Sequence, residues 1–481
     1  MKSKDFGHSK VYLFLNFSIL AGYVVLYPII TNYLNPTLYG EYIILHAILS
    51  IFVSILDLGC KIGYRRNFFE SNDIIFRNNL LFSCQVFISI IFIIIFLFFL
   101  NFGNKILNYF NVSNELISIS SLLLASLILD NFCKYFLINL ENNKDSKKYS
   151  KIFFIKTYFF FFISISYLIL GHGIKSLVYG LFISNVILLL ICLYIQFSKK
   201  NLSYNFDIKL IKNVLLISIP SIPTSFFAKI NSDLDKLLIG YFLNSESAGI
   251  YSIGQSIAYS IFQIITSLDK VYIPSLYKMM FNNRIKLAGS YLISFFFFFG
   301  FLTLGLILSA NIIVDVFLDS TYRNSKFIIM IFSIYYLSLF FSKIVSHQFI
   351  FLKKVIINTY LFFISMSLNF LFTIPAVIYF NIYGAAIATS VSSLISLIIS
   401  IIIVKRHMNI LFNSRIVLFI YFFIIFGLGL EILIIFSEFE SNYYLQILVL
   451  IIVLTFYIFY GFGSKIIKKS FFNNLYNLKK N

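Results

Sequence analysis

Long apolar runs, bounded by Gly, Pro, Asn and short clusters of charge, recur along almost the whole chain of 481 residues. Most run for about 20 residues or more, the length a helix needs to cross a hydrocarbon core roughly 30 Å thick. They predict helices at 11–33, 39–63, 78–101, 115–140, 151–170 and 175–197. After a polar stretch the runs resume at 212–242, 247–273, 286–309, 326–352, 356–380 and 382–404, and end with 415–436 and 443–463. The expectation is an all-α integral membrane protein with about 14 transmembrane helices.

Composition agrees with that pattern. Hydrophobic residues make up 60% of the chain and charged residues only 12%. A soluble domain of this size needs a far more charged exterior, so the surplus apolar surface must face lipid. Trp is absent, which leaves Tyr to form any aromatic belt at the interfaces. The net charge of +19 suggests nucleic acid at first sight. Its cations, however, sit in short clusters between apolar runs and form no basic face on a soluble domain, so no nucleic-acid partner is expected. Cys60, Cys84, Cys133 and Cys192 fall inside or beside apolar segments without metal or disulfide spacing. The five histidines also lack metal-ligand spacing. No cleavable leader is evident, and the first helix reads as an uncleaved anchor after a short basic start.

Charge also sets the expected orientation. With the N-terminus in the cytoplasm, 28 Lys and Arg residues fall on the cytoplasmic loops and termini, and only Lys105, Lys175, Arg323 and Lys326 on the other side. That alternation implies an even number of crossings, with both termini cytoplasmic, in a multi-pass membrane protein.

An internal repeat divides the chain. Tyr33-Leu34-Asn35-Pro36-Thr37-Leu38-Tyr39-Gly40-Glu41-Tyr42 returns 209 residues later as Phe242-Leu243-Asn244-Ser245-Glu246-Ser247-Ala248-Gly249-Ile250-Tyr251. A weaker echo pairs Tyr179-Gly180 with Tyr383-Gly384. Six spans between copies give the halves the same orientation, as in carriers whose repeats are related by an axis along the membrane normal. The expected organisation is a six-helix lobe at 1–198, a cytoplasmic linker at 199–211, a second six-helix lobe at 212–405, and two accessory helices with a basic tail at 406–481.

Ionisable residues inside apolar runs are the candidates for function, because each costs at least about 2.5 kcal/mol at membrane depth. His46, Ser50, Ser54, Asp57 and Lys61 share one narrow sector of the second helix. The repeat offset carries this stripe onto Gln255, Tyr259, Gln263, Thr266 and Lys270. Asp130, Lys134 and Glu141 align on the fourth helix, and Lys229, Asp233 and Lys236 on the seventh. Lys343 and His347 are one turn apart on the tenth. These residues either line a water-filled cleft or pair with one another to join helices. Lys229 and Lys343 have no acidic partner one turn toward the membrane centre and are expected to line the cavity. The candidate substrate-binding set is therefore Lys61, Lys134, Lys229, Lys236, Gln255, Lys270 and Lys343. Asp57, Asp233 and His347 are the candidates to bind a coupling proton or Na+, with no other cofactor and no metal site.

Several strings suggest other roles. Asp233-Leu234-Asp235 has the spacing of a glycosyltransferase metal pair, but it lies within a membrane helix. Gly59-Cys60-Lys61-Ile62-Gly63 has the small-residue spacing of close helix contact. The run from Phe295 to Phe299 reads as lipid-facing bulk, and Pro220 and Pro223 as a bend in the seventh helix.

Asn35-Pro36-Thr37-Leu38-Tyr39-Gly40-Glu41-Tyr42, Leu56-Asp57-Leu58-Gly59 and Ile219-Pro220-Ser221-Ile222-Pro223 belong to a pattern spread over most of the first twelve helices. Asp235-Lys236-Leu237-Leu238-Ile239-Gly240-Tyr241-Phe242-Leu243, Ala248-Gly249-Ile250-Tyr251-Ser252 and Gly384-Ala385-Ala386-Ile387-Ala388-Thr389 complete it. The pattern resembles the polysaccharide flippase branch, the O-antigen repeat-unit translocases, of the multidrug/oligosaccharidyl-lipid/polysaccharide exporter superfamily. The resemblance implies two like-oriented six-helix lobes in a V shape plus two accessory C-terminal helices. It also implies that undecaprenyl-diphosphate-linked oligosaccharide units are carried to the outer leaflet for O-antigen, capsule or related lipopolysaccharide chains. Relatives often carry Arg where this chain has Lys236, and Lys lacks the bidentate phosphate geometry. The expected partners are the lipid-linked oligosaccharide, membrane lipids and polysaccharide polymerase machinery.

Two other readings stand beside the flippase. A cation-coupled multidrug exporter of the same superfamily should favour acidic cavity residues, whereas the membrane-depth charges here lean basic. A membrane polymerase or glycosyltransferase needs a sizeable outer loop, and no predicted outer loop exceeds about fifteen residues on spans set by bilayer thickness. The chain is not expected to be an enzyme.

Overall fold

Lipid offers no partner for a backbone N–H or C=O, so each apolar run coils into helix and satisfies its own. The computed structural model describes residues 3–109, 112–198, 205–281, 285–352, 354–406, 414–437 and 439–463. Among them there is no strand. Contacts divide the chain into an N-terminal unit, Phe17–Gly249, and a C-terminal unit, Ile250–Asn481 joined by Met1–Asn16.

The N-terminal unit is built from α1 (Ser3–Tyr33) from Phe17 onward, α2 (Pro36–Leu56), the short α3 (Cys60–Asn67), α4 (Ile74–Tyr109), α5 (Asn114–Asn142), α6 (Ser146–Ile169), α7 (Lys175–Phe197), α8 (Ile208–Ser218) and α9 (Ile222–Phe242). α7 packs on α5 and α6, α2 on α5 and α9, and α3 on α8. A 3-10 turn at Ile219–Ser221 joins α8 to α9. Pro220 and Pro223 lie at that junction, where each removes a backbone donor.

The expected helix 39–63 is interrupted. Leu58 and Gly59 take φ of 49° and 65°, a left-handed turn that ends α2 and starts α3. Gly tolerates this backbone and Leu does not, so Leu58 costs about 1 kcal/mol that its surroundings must offset. Gly63 provides the close contact expected of the Gly59–Gly63 string. A Cβ there would stand 2.5 Å from the Val214 carbonyl oxygen on α8.

The two copies of the repeat adopt one structure and touch each other. Asn35 Oδ1 accepts from Leu38 N–H at 2.9 Å, and Asn244 Oδ1 from Ser247 N–H at 2.8 Å, so both asparagines cap the next helix. A Cβ on Gly40 would lie 1.7 Å from the Ser245 carbonyl oxygen, and one on Gly249 2.1 Å from that of Pro36. Since Pro36 and Gly40 correspond to Ser245 and Gly249, this is a self-complementary contact between like segments. All four residues belong to the N-terminal unit.

The C-terminal unit contains α10 (Ser245–Phe281) from Ile250 onward, α11 (Ile285–Leu308), α12 (Ala310–Phe317), α13 (Ser325–Phe351), α14 (Val355–Lys405), α15 (Ser414–Ile435) and α16 (Tyr443–Gly463). α14 is two helices meeting at Asn381, whose φ of 53° and ψ of −142° are not helical. The break coincides with the expected junction of 356–380 and 382–404. A straight helix of its 51 residues would be about 75 Å long, far more than one bilayer. Ten helices are long and apolar enough to cross a membrane among the described residues, or up to eleven if the 50° bent pair Phe295–Leu308 and Ala310–Phe317 forms one span. That number counts both halves of α14 together and leaves out α9, which carries Lys229, Asp233, Asp235 and Lys236.

The Phe295–Phe299 run corrects one expectation. Only Phe298 is exposed, and the other four are buried. The Phe296 ring lies 5.2 Å from Phe340, while Phe297 stacks on Tyr457 of α16 at 4.2 Å. The run thus packs against α13 through Phe296 and seats the accessory helices through Phe297. A polar tie fixes them further. Lys326 Nζ reaches Glu440 Oε1 at 2.5 Å and Asn311 Oδ1 at 3.0 Å, and Arg323 reaches Glu440 at 3.0 Å. Lys326 is only 3% exposed, so it is more than the loop charge expected from sequence. The hydrogen bond from Lys326 holds the Glu440 carboxyl below its usual range, helped by the charges of Lys326 and Arg323.

Two predictions follow from this packing. Gly40→Ala and Gly249→Ala should each lower stability by about 1–3 kcal/mol through overpacking, with the pair losing less than the sum because one displacement relieves both. Gly429→Ala, where nothing lies within 4 Å, is the neutral control, and thermal unfolding in detergent is the readout. Because the folded pKa of Glu440 is depressed, its contribution is complete above about pH 4.3 and is lost as pH falls through the folded value. Glu440→Gln should therefore lower stability at neutral pH and flatten the acid limb of the stability–pH curve.

Candidate substrate-binding site

Helical spacing places Lys229, Asp233 and Lys236 on one face of α9, and His46 and Ser50 on one face of α2. These helices pack together, which brings the two sets into contact. Asp233 is the shared acceptor: Lys229 Nζ lies 2.6 Å from Oδ2, Lys236 Nζ 3.5 Å from Oδ1, and the Ser50 hydroxyl 3.4 Å from Oδ2. His46 is within electrostatic reach of all three α9 charges. Asp235, also buried, projects from the opposite side of α9.

A second cluster forms where α2 breaks. Asp57, 6% exposed, accepts from the Tyr135 hydroxyl at 2.8 Å, and Lys61 Nζ lies 3.5 Å from its Oδ1. Lys61 also donates to Asn131 and stands 5.9 Å from the Tyr135 ring centroid. One turn of α5 away, Asp130 pairs with Lys134 at 2.6 Å and with Lys156 of α6. Of these two lysines, Lys156 is the more enclosed.

The geometry changes several expectations. Lys229 is not an unpaired cavity cation, since Asp233 one turn further along α9 holds it. The stripe from His46 to Lys61 is not one continuous helical face, because the turn at 57–59 moves Lys61 onto α3. Glu141 pairs with Arg65 at 2.7 Å. In the C-terminal unit, Lys343 Nζ sits 5.3 Å from the centroid of the Phe262 ring, and His347 Nδ1 is 2.9 Å from the Tyr277 hydroxyl. Gln255 is half-buried on α10, and the side chain of Lys270 lies outside the described residues. Sequence reasoning missed Lys156, Asn131 and Tyr135. Lys156 had a visible signal, a cation set among Phe153, Phe154, Ile155, Tyr158 and Phe159.

The three clusters of the N-terminal unit hold Lys61, Lys134, Lys156, Lys229 and Lys236 against Asp57, Asp130 and Asp233, an excess of two positive charges. Such an excess can attract an anion at membrane depth. No group of three or more His, Cys, Asp or Glu suited to a metal occurs among the described residues.

Residues 29–327 match the family described as polysaccharide biosynthesis protein. No curated protein matches the sequence. Among solved structures, the chain is similar to an inward-facing multidrug resistance MATE family transporter of the MOP superfamily (13% identity, 83% of this chain and 97% of that one, TM-score 0.66). It is also similar to the lipid II flippase MurJ in an inward closed conformation (19% identity, 95% and 98%, TM-score 0.64). A MOP superfamily transporter from Pyrococcus furiosus, described by the reverse polarity of its binding pocket, aligns at 12% identity over 84% and 95% with a TM-score of 0.55. The chain therefore shares its fold with a transporter of the MOP superfamily and with the lipid II flippase.

Removing Asp233 should cost more than removing either partner, because Asp233→Ala strands two lysines while Lys229→Ala or Lys236→Ala leaves a pair. The expected loss is about 3–5 kcal/mol for Asp233→Ala and clearly less for each lysine variant. The combined Lys229→Met, Asp233→Leu and Lys236→Met protein should regain most of it. Thermal melting of the purified variants measures the order.

Proposed function

Because the chain belongs to the polysaccharide biosynthesis protein family, we propose that this multi-pass MOP-superfamily transporter is a flippase for undecaprenyl-diphosphate-linked oligosaccharides. It moves them from the cytoplasmic to the outer leaflet of the bacterial inner membrane by alternating access, supplying O-antigen, capsule or a related polysaccharide. The observation that carries this reading is the cation excess in the N-terminal unit. Lys61, Lys229 and Lys236 hold the diphosphate, polar neighbours such as Ser50, Asn131 and His46 offer hydrogen bonds to the adjoining sugar, and the polyprenyl chain stays in lipid. Asp57 or Asp233 takes a coupling proton or Na+ when the substrate phosphate competes for its lysines, and His347 does so on the other unit. Both termini are cytoplasmic in this reading, and a polymerase receives the product outside.

The second reading, a cation-coupled multidrug exporter, draws on the MATE neighbour and on carboxylates at membrane depth. Against it, each of Asp57, Asp130 and Asp233 already has a lysine within ion-pair distance.

Full-length protein in proteoliposomes, loaded with polyprenyl-diphosphate oligosaccharide in one leaflet, tests the choice by the rate at which a lectin gains access from the other. Lys229→Gln and Lys61→Gln should slow transfer about tenfold or more each, the loss of one charge-assisted hydrogen bond, while Lys229→Arg keeps most of it. Undiminished transfer in the Lys61→Gln and Lys229→Gln double variant, or faster export of a cationic dye by it, would overturn the flippase assignment.

A further inference from the structure

The N-terminal unit contains a second basic hollow, away from the clusters just described. A cavity of about 260 Å³ lies among the start of α4, the end of α5, the start of α6 and the end of α7. Those four ends are on one side of the unit, the side that carries Arg65, Arg66, Lys144, Lys147 and Lys151 and that the charge distribution makes cytoplasmic. Its wall is divided in character. Leu81, Phe136, Leu140 and Ile195 form an apolar part, and Arg77, Lys148 and side-chain amides form the polar part. Exposed Ile74 and Ile75 at its edge place it at the boundary between the apolar belt and the polar rim.

The charges do not cancel. Asp145 also lines the cavity, but its carboxylate is engaged by Lys148 Nζ at 3.0 Å and caps α6 through Lys148 N–H at 3.2 Å. Arg77 is left over. Its Nε donates to the carbonyls of Ser71 at 2.9 Å and Phe68 at 3.3 Å, its Nη2 to Asn72 Oδ1 at 2.9 Å, and its plane lies over the Phe68 ring. All of these partners are neutral. Beside it, the amide nitrogen of Asn78 is buried without an acceptor, a state that costs about 1–3 kcal/mol unless a ligand supplies one. An uncompensated guanidinium, an orphan N–H donor and an apolar wall at headgroup depth together specify an amphiphile with an anionic, acceptor-rich head.

We infer that this cavity is a binding site for the phosphodiester headgroup of an anionic phospholipid from the cytoplasmic leaflet. The phosphate oxygens pair with Arg77 and accept from Asn78 Nδ2 once that amide turns into the cavity it lines, and the upper acyl chain lies along Ile74, Leu81 and Ile195. Basic pockets at the cytoplasmic ends of membrane helices favour such lipids by charge and by depth. The site is separate from the lysine clusters that hold the transported substrate and does not depend on what that substrate is.

The test uses the full-length protein in neutral detergent, with phosphatidylglycerol, phosphatidylcholine or inorganic phosphate added, read by native mass spectrometry and by thermal melting. Phosphatidylglycerol should remain bound and raise the melting temperature, while phosphatidylcholine and phosphate should do neither. Asn78→Asp, which puts a carboxylate where the orphan donor stands, should weaken phosphatidylglycerol binding about tenfold or more. Arg77 also braces the 68–73 turn, so the exposed Lys148→Gln, which frees the Asp145 charge into the cavity, is the second variant and should weaken binding in the same direction. Equal retention of phosphatidylglycerol by wild type and both variants would overturn the inference. Equal stabilisation by phosphatidylcholine would overturn it as well, and full displacement of lipid by millimolar phosphate would reassign the site to the free anion.

Discussion

An aspartate at membrane depth needs more than one donor, since a carboxylate left alone in a low-dielectric setting is too costly to keep ionised. The N-terminal unit meets this three times: Asp57 with Lys61 and Tyr135, Asp130 with Lys134 and Lys156, and Asp233 with Lys229, Lys236 and Ser50. Each carboxylate thereby joins helices that apolar packing alone would leave free to slide in lipid, where no hydrophobic force draws helix to helix. α2 is bound to α9 through Asp233, to α5 through Asp57, and α5 to α6 through Asp130. The left-handed turn at Leu58 and Gly59 belongs to the same constraint, because it redirects the chain so that Asp57 and Lys61 both reach α5.

The helices were legible because a bilayer admits few alternatives: a long apolar run between charge clusters has to coil. The repeat was legible too, and its meaning deepened once Asn35 and Asn244 proved to be equivalent caps. Gly59 and Gly63 show where the reading stopped. Both fitted one small-residue pattern, yet Gly59 serves a positive φ and Gly63 a close backbone contact with α8. Spacing along a helix cannot separate those uses, because they differ only in backbone angle. Lys156 failed to draw notice for another reason. Its acceptor, Asp130, is 26 residues away on another helix, and pairing rules within one helix reach three or four residues. The burial of the Phe295–Phe299 run comes from α13 on one side and the accessory α16 on the other, which a local reading of hydrophobicity cannot anticipate.

Charge serves two purposes in this protein, and the balance of signs tells them apart. At the accessory helices, Arg323 and Lys326 meet Asp315 and Glu440, with Glu431 within electrostatic reach of Lys326, so carboxylates at least match cations. Neutral Asn311 and Gln446 bond to each other beside them. That is the arrangement of a fastening, in which each cation is met by a carboxylate. The N-terminal clusters break the balance, with five lysines against three aspartates drawn from four helices. The second lysine on Asp130 and on Asp233 supplies the further donor each carboxylate needs, but together they leave the clusters with net positive charge. The imbalance makes physical sense if an anion completes it for part of the working cycle, and a membrane lipid carrying a diphosphate is the kind of anion that reaches such depth with its chain still in hydrocarbon.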